Sequence, residues 1–300
     1  MRLPARLLRR KANSNKGDFG HIFILAGSSA FSGAAVLCSE SAMRSGAGLV
    51  TLGIPKGINN AIIKIKLPEV MTLPLPETKE DNVSIKAYKR IIDFINKADI
   101  IVIGPGLGRE RSTQKLIQKL IKNINKPLVI DADGLNALAG HLSILTATRG
   151  KRPVTILTPH PGEMSRLCGK SIKKIQDKRR EVAKMFAACY KITLVLKGHK
   201  TIVADFKNKL YINKTGNPGM STAGSGDVLT GIIASFLGQG LDEFNAAKSA
   251  VYIHGLAGDL AAKEKNQLSL IASDIIDKIP EAIKMSGFCR LSSVGRAAVL

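Results

Sequence analysis

The feature that most restricts the fold of this chain is a regular alternation of short apolar runs with helical patterns. The runs are rich in Ile, Val and Leu and lack polar alternation, which is typical of parallel strands buried on both faces. Strands are predicted over residues 21–26, 49–54, 99–104, 127–131, 154–158 and 193–197, and a hairpin over 201–205 and 210–213. Helices are predicted over residues 33–44, 85–96, 113–123, 173–190, 228–237, 242–263 and 272–285. This order predicts an α/β fold with helices on both sides of a mostly parallel sheet.

The composition argues against two classes of partner. The formal net charge is +22, and residues 1–16 hold six basic side chains and no acidic one. Aromatic residues are only 4% and Trp is absent, so surfaces for stacking bases are scarce, and we expect no nucleic-acid partner. A basic surface suits an anionic substrate such as a nucleotide equally well. The apolar runs are too short to span a bilayer, so no membrane partner is expected. The four cysteines (38, 168, 189 and 289) form no C-x-x-C pair, which favours a reducing, cytoplasmic location.

One glycine-rich segment carries the clearest chemical signal. Residues 217–227 read Asn-Pro-Gly-Met-Ser-Thr-Ala-Gly-Ser-Gly-Asp, and a helical pattern follows. Glycines at the start of a helix direct backbone N–H groups at one point, where the helix dipole favours a phosphate. Asp227 at the edge of that point could accept the proton of a hydroxyl that attacks the phosphate. The alternative is that Asp227 caps a helix and the glycines only form a turn.

Five further motifs follow predicted strands, where ligands bind in open α/β sheets. They are Gly27-Ser-Ser-Ala-Phe-Ser-Gly33, Gly104-Pro-Gly-Leu-Gly108, Asp131-Ala-Asp-Gly-Leu-Asn136, Thr158-Pro-His-Pro-Gly-Glu163 and Lys197-Gly-His-Lys-Thr201. The first and last of these are open to a second interpretation as plain turns. No G-x-x-x-x-G-K-[ST] sequence is present, so any nucleotide site is not of the Walker type.

Three side chains in these motifs have specific interpretations. Asp131 is predicted to hold a Mg²⁺-bound water or a substrate hydroxyl, and Asp133 is predicted to cap the next helix. His160 lies at a strand end among polar motifs and is interpreted as a ligand contact, with a purely structural role as the alternative.

In this order and spacing, the motifs resemble those of the ribokinase-like NAD(P)H-hydrate dehydratases. Lys16-Gly-Asp-Phe-Gly20 and Arg44-Ser-Gly-Ala-Gly-Leu49 also match, and the resemblance covers roughly residues 8–285. It implies a ribokinase-like three-layer α/β/α sandwich over residues 1–285 as a single domain, with residues 286–300 as a tail of uncertain order. Ser221 departs from the family pattern, in which alanine is common at this position.

The resemblance also implies a repair reaction and its partners. Members of the family return the S-form of NAD(P)H hydrate to NAD(P)H, with ADP or ATP as co-substrate and Mg²⁺ as cofactor. With ADP the expected products are AMP and phosphate. A homotetramer and a functional link to a separate NAD(P)H-hydrate epimerase are expected on the same ground.

The site residues are carried over from the same resemblance. Asp227 is the expected catalytic base, and no metal ligand is assigned. The expected nucleotide-binding residues are Lys197, Gly198, His199, Lys200, Thr201, Asn217, Pro218, Gly219, Met220, Ser221, Thr222, Ala223, Gly224, Ser225 and Gly226. The expected substrate-binding residues are Ala42, Gly106, His160, Glu163, Arg166 and Asp227.

Three other functions remain open from the sequence. A small-molecule kinase of the same fold would share Asp227 and the glycine-rich segment but would make a stable phosphate ester. The motifs at residues 104–108 and 158–163 favour the dehydratase over this kinase. The other two alternatives are a nucleotide-binding regulatory protein without turnover and a nucleic-acid binder, whose retention would fall steeply with salt.

Overall fold

The centre of the computed structural model, which describes residues 1–146 and 153–287, is a nine-stranded sheet. The strands are β1 His21–Leu25, β2 Leu49–Pro55, β3 Met71–Leu75, β4 Ile100–Ile103, β5 Leu128–Ile130, β6 Thr155–Leu157, β7 Thr193–Leu196, β8 Ile202–Ala204 and β9 Leu210–Ile212. Their order across the sheet is β3-β2-β1-β4-β5-β6-β7-β8-β9. All neighbours from β3 to β7 are parallel, and β8 and β9 add as antiparallel strands. The predicted, mostly parallel sheet is confirmed.

Twelve helices surround this sheet in the described part of the chain. They are α1 Ala5–Leu8, α2 Ser32–Arg44, α3 Asn59–Ile65, α4 Tyr88–Ile95, α5 Arg111–Asn123, α6 Ala132–Leu138, α7 Pro161–Cys168, α8 Ile172–Asp177, α9 Arg179–Tyr190, α10 Ser225–Gly238, α11 Glu243–Lys265 and α12 Ala272–Gly287. Within residues 1–146 and 153–287, none is long and apolar enough to cross a membrane.

Two hydrophobic cores lie on opposite faces of the sheet. In β1, Ile22 and Ile24 join the core that packs against α2, α3, α10, α11 and α12. Phe23 and Leu25 point to the other face and join the core formed with α4 to α9. Successive side chains of a strand point to opposite faces, so an unbroken apolar run fits a strand that is covered on both sides. The predicted three-layer α/β/α arrangement is confirmed.

The structure adds elements that were not predicted, among them the single-turn helix α1, and it divides one predicted helix in two. The sequence prediction missed α3 and β3, the edge strand, which contains Pro74; proline is tolerated at a sheet edge but weakens a strand pattern. The single helix predicted over residues 173–190 is two helices, because the backbone at Lys178 leaves the helical region (φ −128°, ψ 37°) between α8 and α9. Of the predicted tail, residues 286 and 287 belong to α12, and the rest lies outside the described residues.

Close contact between α2 and α10 fixes the position of the glycine-rich segment. A Cβ atom on Gly231 would collide with the Ser41 hydroxyl and the Cys38 carbonyl oxygen, and it would lie 3.0 Å from the Ala42 nitrogen. Only glycine therefore allows the two helices to approach so closely. The contact holds α10 against the sheet, with its first turn at the carboxyl ends of the central strands.

Candidate active site

A buried hydrogen-bond network joins the ends of two strands to α10. Asp131 follows β5 and is 1% exposed. Its Oδ1 accepts a hydrogen bond of 2.7 Å from the Lys197 ammonium, which follows β7, and its Oδ2 accepts one of 2.7 Å from the Thr230 hydroxyl. Both oxygens thus accept from protein donors, and the interpretation of Asp131 as holder of a metal-bound water or substrate hydroxyl stays a prediction.

Lys197 is the cation at the centre of this network. Its side chain is 17% exposed, and its Nζ lies 2.7 Å from Asp131 and 3.8 Å from Glu163 Oε2. Burial alone would lower the pKa of Lys197, but the two carboxylates outweigh burial and raise the pKa above its usual 10.5. The side chain is therefore a fixed positive charge at neutral pH.

Asp227 lies in the first turn of α10, beside this cation. Burial and, after it, the charge of Asp131 raise the pKa of Asp227 from 3.8 to about 7; Lys197 opposes the rise, and Glu163 and Asp133 add to it. A carboxyl group with such a pKa gains and loses a proton near neutral pH, as a general base must. Asp227 does not cap α10, because Gly224 occupies the N-cap position.

Glycines allow other groups to approach the backbone closely at the start of α10. Gly224 has a φ of +84°, and a Cβ atom there would collide with Leu37 and lie 3.1 Å from Ala272 Cβ. A Cβ atom on Gly226 would lie 3.3 Å from the Lys197 ammonium. The helix N-terminus and the lysine charge therefore favour an anion at the same place.

The segment before α10 is anchored on α11. Asn217 Oδ1 accepts from the Gly219 nitrogen at 3.0 Å and so begins the short 3₁₀ turn Pro218–Met220. The Asn217 amide donates to the Gly258 carbonyl oxygen at 2.9 Å and to Asp259 Oδ1 at 3.0 Å. These bonds hold the turn in place beside the start of α10.

Sequence reasoning missed two polar residues of α11 in the sequence His254-Gly-Leu-Ala-Gly-Asp259. His254 Nε2 lies 3.3 Å from the Ser225 hydroxyl, and burial lowers the pKa of His254 to about 4, so the ring is neutral. Asp259 accepts from Asn217 and from the Gly216 nitrogen. The signal that could have found them is the pair of glycines on one helix face, which let the Asn217 segment approach α11.

On the other side of Lys197, the start of α7 brings His160 and Glu163 together. His160 Nδ1 accepts from the nitrogens of Gly162 at 3.0 Å and Glu163 at 3.4 Å, and Glu163 Oε2 accepts from the His160 nitrogen at 2.8 Å. Burial lowers the pKa of His160 and raises that of Glu163. His160 is therefore a neutral helix cap; its side chain is 51% exposed, and its Nε2 lies 3.5 Å from Glu163 Oε1.

Asp133 connects α6 to the glycine-rich loop after β4. It accepts from the Gly108 nitrogen at 2.9 Å and from the Asn136 amide at 3.0 Å, and Asn136 accepts from Arg166 at 2.9 Å. The prediction that Asp133 caps the helix is wrong, because Asp131 holds the N-cap position and Asp133 lies in the first turn. Gly106 in that loop has a φ of +63° and packs directly against Phe31.

The remaining predicted residues differ in accessibility. Gly198, His199 and Lys200 form an exposed turn between β7 and β8, next to a cleft of about 390 Å³ whose lining includes His199 and Lys200 but not Asp227. Ala42 is fully buried in the α2–α10 contact. Met220 and Thr222 are half-buried and Pro218, Ser221 and Ala223 are exposed, all in the segment that leads into α10.

The comparisons with known proteins agree with this geometry. A family model described as NAD(P)H-hydrate dehydratase matches residues 22–281. This chain belongs to that family. The resemblance of the sequence motifs to the NAD(P)H-hydrate dehydratases is therefore confirmed.

Two curated members of this dehydratase family are similar to the chain over most of its length. The bifunctional NAD(P)H-hydrate repair enzyme Nnr of Moorella thermoacetica is 43% identical over 280 residues, which are 93% of this chain and 52% of the relative. The chain thus spans about half the length of this relative. The ADP-dependent (S)-NAD(P)H-hydrate dehydratase of Neisseria meningitidis is 36% identical over 261 residues, or 87% of this chain and 83% of the relative.

Solved structures support the same family and fold. The ADP/ATP-dependent NAD(P)H-hydrate dehydratase of Bacillus subtilis, co-crystallized with ATP/Mg²⁺, has a TM-score of 0.80, 34% sequence identity and 95% coverage of both chains. The ribokinase of Thermotoga maritima is only 12% identical with a TM-score of 0.54, so it supports the fold alone. The ribokinase-like fold prediction for this dehydratase-family chain is confirmed, while the roles of its individual residues stay predictions.

Proposed function

We propose that this chain converts the S-form of NAD(P)H hydrate back to NAD(P)H with ADP or ATP as the co-substrate, as a carbon–oxygen lyase. Membership of the dehydratase family and the name of the Neisseria relative support this function. The observation that carries it is the position of Asp227 in the first turn of α10, beside the Lys197 ammonium, with its pKa raised to about 7.

The chemistry begins with the ring hydroxyl, which is a poor leaving group because the pKa of water is about 15.7. Asp227 accepts the hydroxyl proton while the oxygen attacks the terminal phosphorus of ADP, so the P–O bond to AMP breaks and a phosphate ester forms. The ring nitrogen then donates its electron pair, the C–O bond breaks and phosphate leaves. Loss of a proton from the adjacent ring carbon restores the double bond of NAD(P)H.

The anion site favours the charge that develops on the transferring group. The backbone N–H groups of residues 224–226 and the Lys197 ammonium supply positive potential without reorganisation. We assign the nucleotide to residues 197–201 and 217–226. The hydrate is assigned to the side formed by Gly106, His160, Glu163 and Arg166, so that Asp227 lies between the two ligands.

Mg²⁺ has no ready protein site in this part of the molecule. Among the described residues, no group of three or more His, Cys, Asp or Glu side chains could hold a metal ion. Mg²⁺ often binds through substrate phosphates and keeps its waters. We propose that it enters with the nucleotide, as the ATP/Mg²⁺ co-crystals of the Bacillus relative suggest, and no step above depends on it.

The partners and location follow the family resemblance. We propose a cytoplasmic homotetramer that acts beside an NAD(P)H-hydrate epimerase. The bifunctional name of the Moorella relative supports the epimerase link. Light scattering after size-exclusion chromatography measures the oligomer, and a monomer would contradict this part of the proposal.

The direct test is to incubate the protein with NADH hydrate and ADP or ATP. We expect the absorbance of the reduced nicotinamide ring to return and phosphate to be released. Asp227→Asn is expected to bind ADP but to show no turnover. A stable phosphate ester in place of NADH would instead support a kinase of the same fold, and near-normal dehydration by Asp227→Asn would exclude Asp227 as the base.

A further inference from the structure

The Asp131 carboxylate is the point at which three elements of the fold meet. It follows β5, it accepts from Lys197 at the end of β7, and it accepts from Thr230 in α10. Both hydrogen bonds are 2.7 Å long. Asp131 is 1% exposed and Thr230 is fully buried, so water cannot readily replace either bond.

The two bonds fix different parts of the proposed phosphoryl-transfer site. Thr230 lies four residues after Gly226, which is about one helical turn, so its bond sets the height and rotation of the first turn of α10. That turn carries Asp227. The Lys197 ammonium, held by the other oxygen, lies 3.3 Å from the point where a Gly226 Cβ would be. One carboxylate therefore fixes both the proposed base and the cation beside it.

We propose that Asp131 is a positioning residue, which sets the distance between Asp227 and the Lys197 ammonium through its bonds to Thr230 and Lys197. This inference rests on the proposed function, in which Asp227 takes the proton and Lys197 faces the transferring phosphoryl group. A role in stability alone is a poor explanation, because buried ion pairs are often replaceable by apolar side chains without loss of stability.

The charges around Asp227 set its pKa, which is measured as the acid limb of the pH–rate profile. Replacement of a merely structural residue would leave this acid limb unchanged. The groups that face it are Asp131 after β5, Asp133 in α6, Glu163 in α7 and Lys197 after β7, and the buried Cys38 thiol of α2 is also near. Asp131 raises the pKa of Asp227 and Lys197 lowers it. Removing one or the other charge therefore shifts the acid limb of the pH–rate profile in opposite directions.

Three single variants test the proposal by steady-state kinetics with NADH hydrate and ADP. Asp131→Asn, Lys197→Met and Thr230→Val are each expected to lower kcat about 100-fold, since misplacement of a catalytic group by about 1 Å has an effect of this size. The KM for the hydrate is expected to change much less. The acid limb moves down by about one pH unit in Asp131→Asn and up by a similar amount in Lys197→Met. In Thr230→Val it stays in place, because no charge is removed.

A double variant guards against loss of folding. Asp131→Asn leaves the buried Lys197 ammonium without its partner. The double variant Asp131→Asn/Lys197→Met removes both charges. It is therefore expected to unfold at a denaturant concentration near that of the wild type. We expect the double variant to be folded and still at least about 100-fold slower than the wild type. If it, or Asp131→Asn, turns over near the wild-type rate, the positioning role is wrong.

The same series separates this inference from the proposed function. Slow variants whose acid limbs all coincide with that of the wild type would show that Asp131 is only structural. A wild type that turns over no hydrate would overturn the proposed function and the positioning role together. An active wild type with an equally active Asp131→Asn would overturn the positioning role and leave the function intact.

Discussion

Replacing Asp227 by asparagine is expected to stabilise the fold while it removes turnover. Burial and the neighbouring Asp131 charge raise the pKa of Asp227 from 3.8 to about 7 in the folded protein. In the unfolded chain the carboxyl group has its ordinary pKa. The folded protein therefore disfavours the ionised form of Asp227, and an uncharged side chain of the same shape relieves this cost.

The pH dependence of the effect has a definite sign. Below about pH 4 the proton is bound in both states, so the wild type and Asp227→Asn have the same stability apart from the change of side chain. Between pH 3.8 and about 7 the unfolded chain ionises and the folded protein does not, so the wild type loses stability as pH rises. Above about pH 7 both states are ionised and the difference stays constant.

The size of the difference follows from the same two pKa values. Each pH unit between them corresponds to about 1.4 kcal/mol, which gives at most about 4 kcal/mol above neutral pH. Asp227 is only partly buried, and relaxation of the site reduces the cost of ionisation. We therefore expect Asp227→Asn to raise the free energy of unfolding by about 2 kcal/mol at pH 8.

Urea unfolding followed by circular dichroism at about pH 4.5, 6 and 8 measures this difference, provided that both proteins share one m-value. Asp242→Asn is the matched control. Asp242 caps α11 and accepts from the Asn245 nitrogen at 3.0 Å. Burial raises the pKa of Asp242, but the hydrogen bonds from Asn245 outweigh burial and lower it below 3.8. This control should lose a similar amount of stability at all three pH values, because each lies above the pKa of Asp242 in the folded and the unfolded protein.

Two results would refute the reasoning about Asp227. One is an Asp227→Asn variant that is no more stable than the wild type at pH 8. The other is a stability difference that is the same at pH 4.5 and pH 8, since a group with a raised folded-state pKa must give a difference that grows with pH. If Asp227→Asn lost turnover without gaining stability, the result would agree with Asp227 as the base. It would also show that the ionised carboxylate of Asp227 does not destabilise the folded protein.

Three other substitutions have expected outcomes. Gly226→Val places a side chain against the Lys197 ammonium and should weaken ADP binding at least about tenfold by calorimetry; an unchanged affinity would exclude the anion site. Asn217→Ala removes the bonds to Gly258 and Asp259 and should cost about 1–3 kcal/mol of ADP affinity or stability, seen by calorimetry and thermal melts. Gly231→Val should lower the free energy of unfolding by about 1–3 kcal/mol or more, because it collides with α2, and a variant as stable as the wild type would contradict that contact.

Most of the fold was predictable because its signals are local. The runs at residues 21–26 and 99–104 are unbroken and apolar, so they read as buried parallel strands without knowledge of their neighbours. The edge strand β3 was not predictable in this way, because Pro74 interrupts its pattern and only pairing with β2 makes it a strand. The break between α8 and α9 at Lys178 contains no glycine or proline, so the sequence gives no local signal that a helix ends there.

The site was only half predictable for a related reason. The segment ending in Asp227 is contiguous, so its glycine spacing is visible in the sequence. Asp131 and Thr230 are 99 residues apart, and Asp131 and Lys197 are 66 apart. Strand order across the sheet decides that these three residues meet, and no local pattern reports that order. His254 by itself gives no sign of the element that it faces; only the neighbouring pair of glycines, Gly255 and Gly258, indicates a close approach there.

The structure also gives two aspartates of the site different surroundings. Asp131 follows β5 and Asp227 lies in the first turn of α10, and both lie near Lys197. Each Asp131 oxygen accepts a hydrogen bond from a buried or nearly buried donor, which favours a role in holding the site together. For Asp227, burial and neighbouring charges set the pKa, and no hydrogen bond is among the causes of its shift. One carboxylate is thus committed to holding the site together and the other is left open to accept a proton, and Asp131→Asn should therefore destabilise the protein at pH 8, where Asp227→Asn stabilises it.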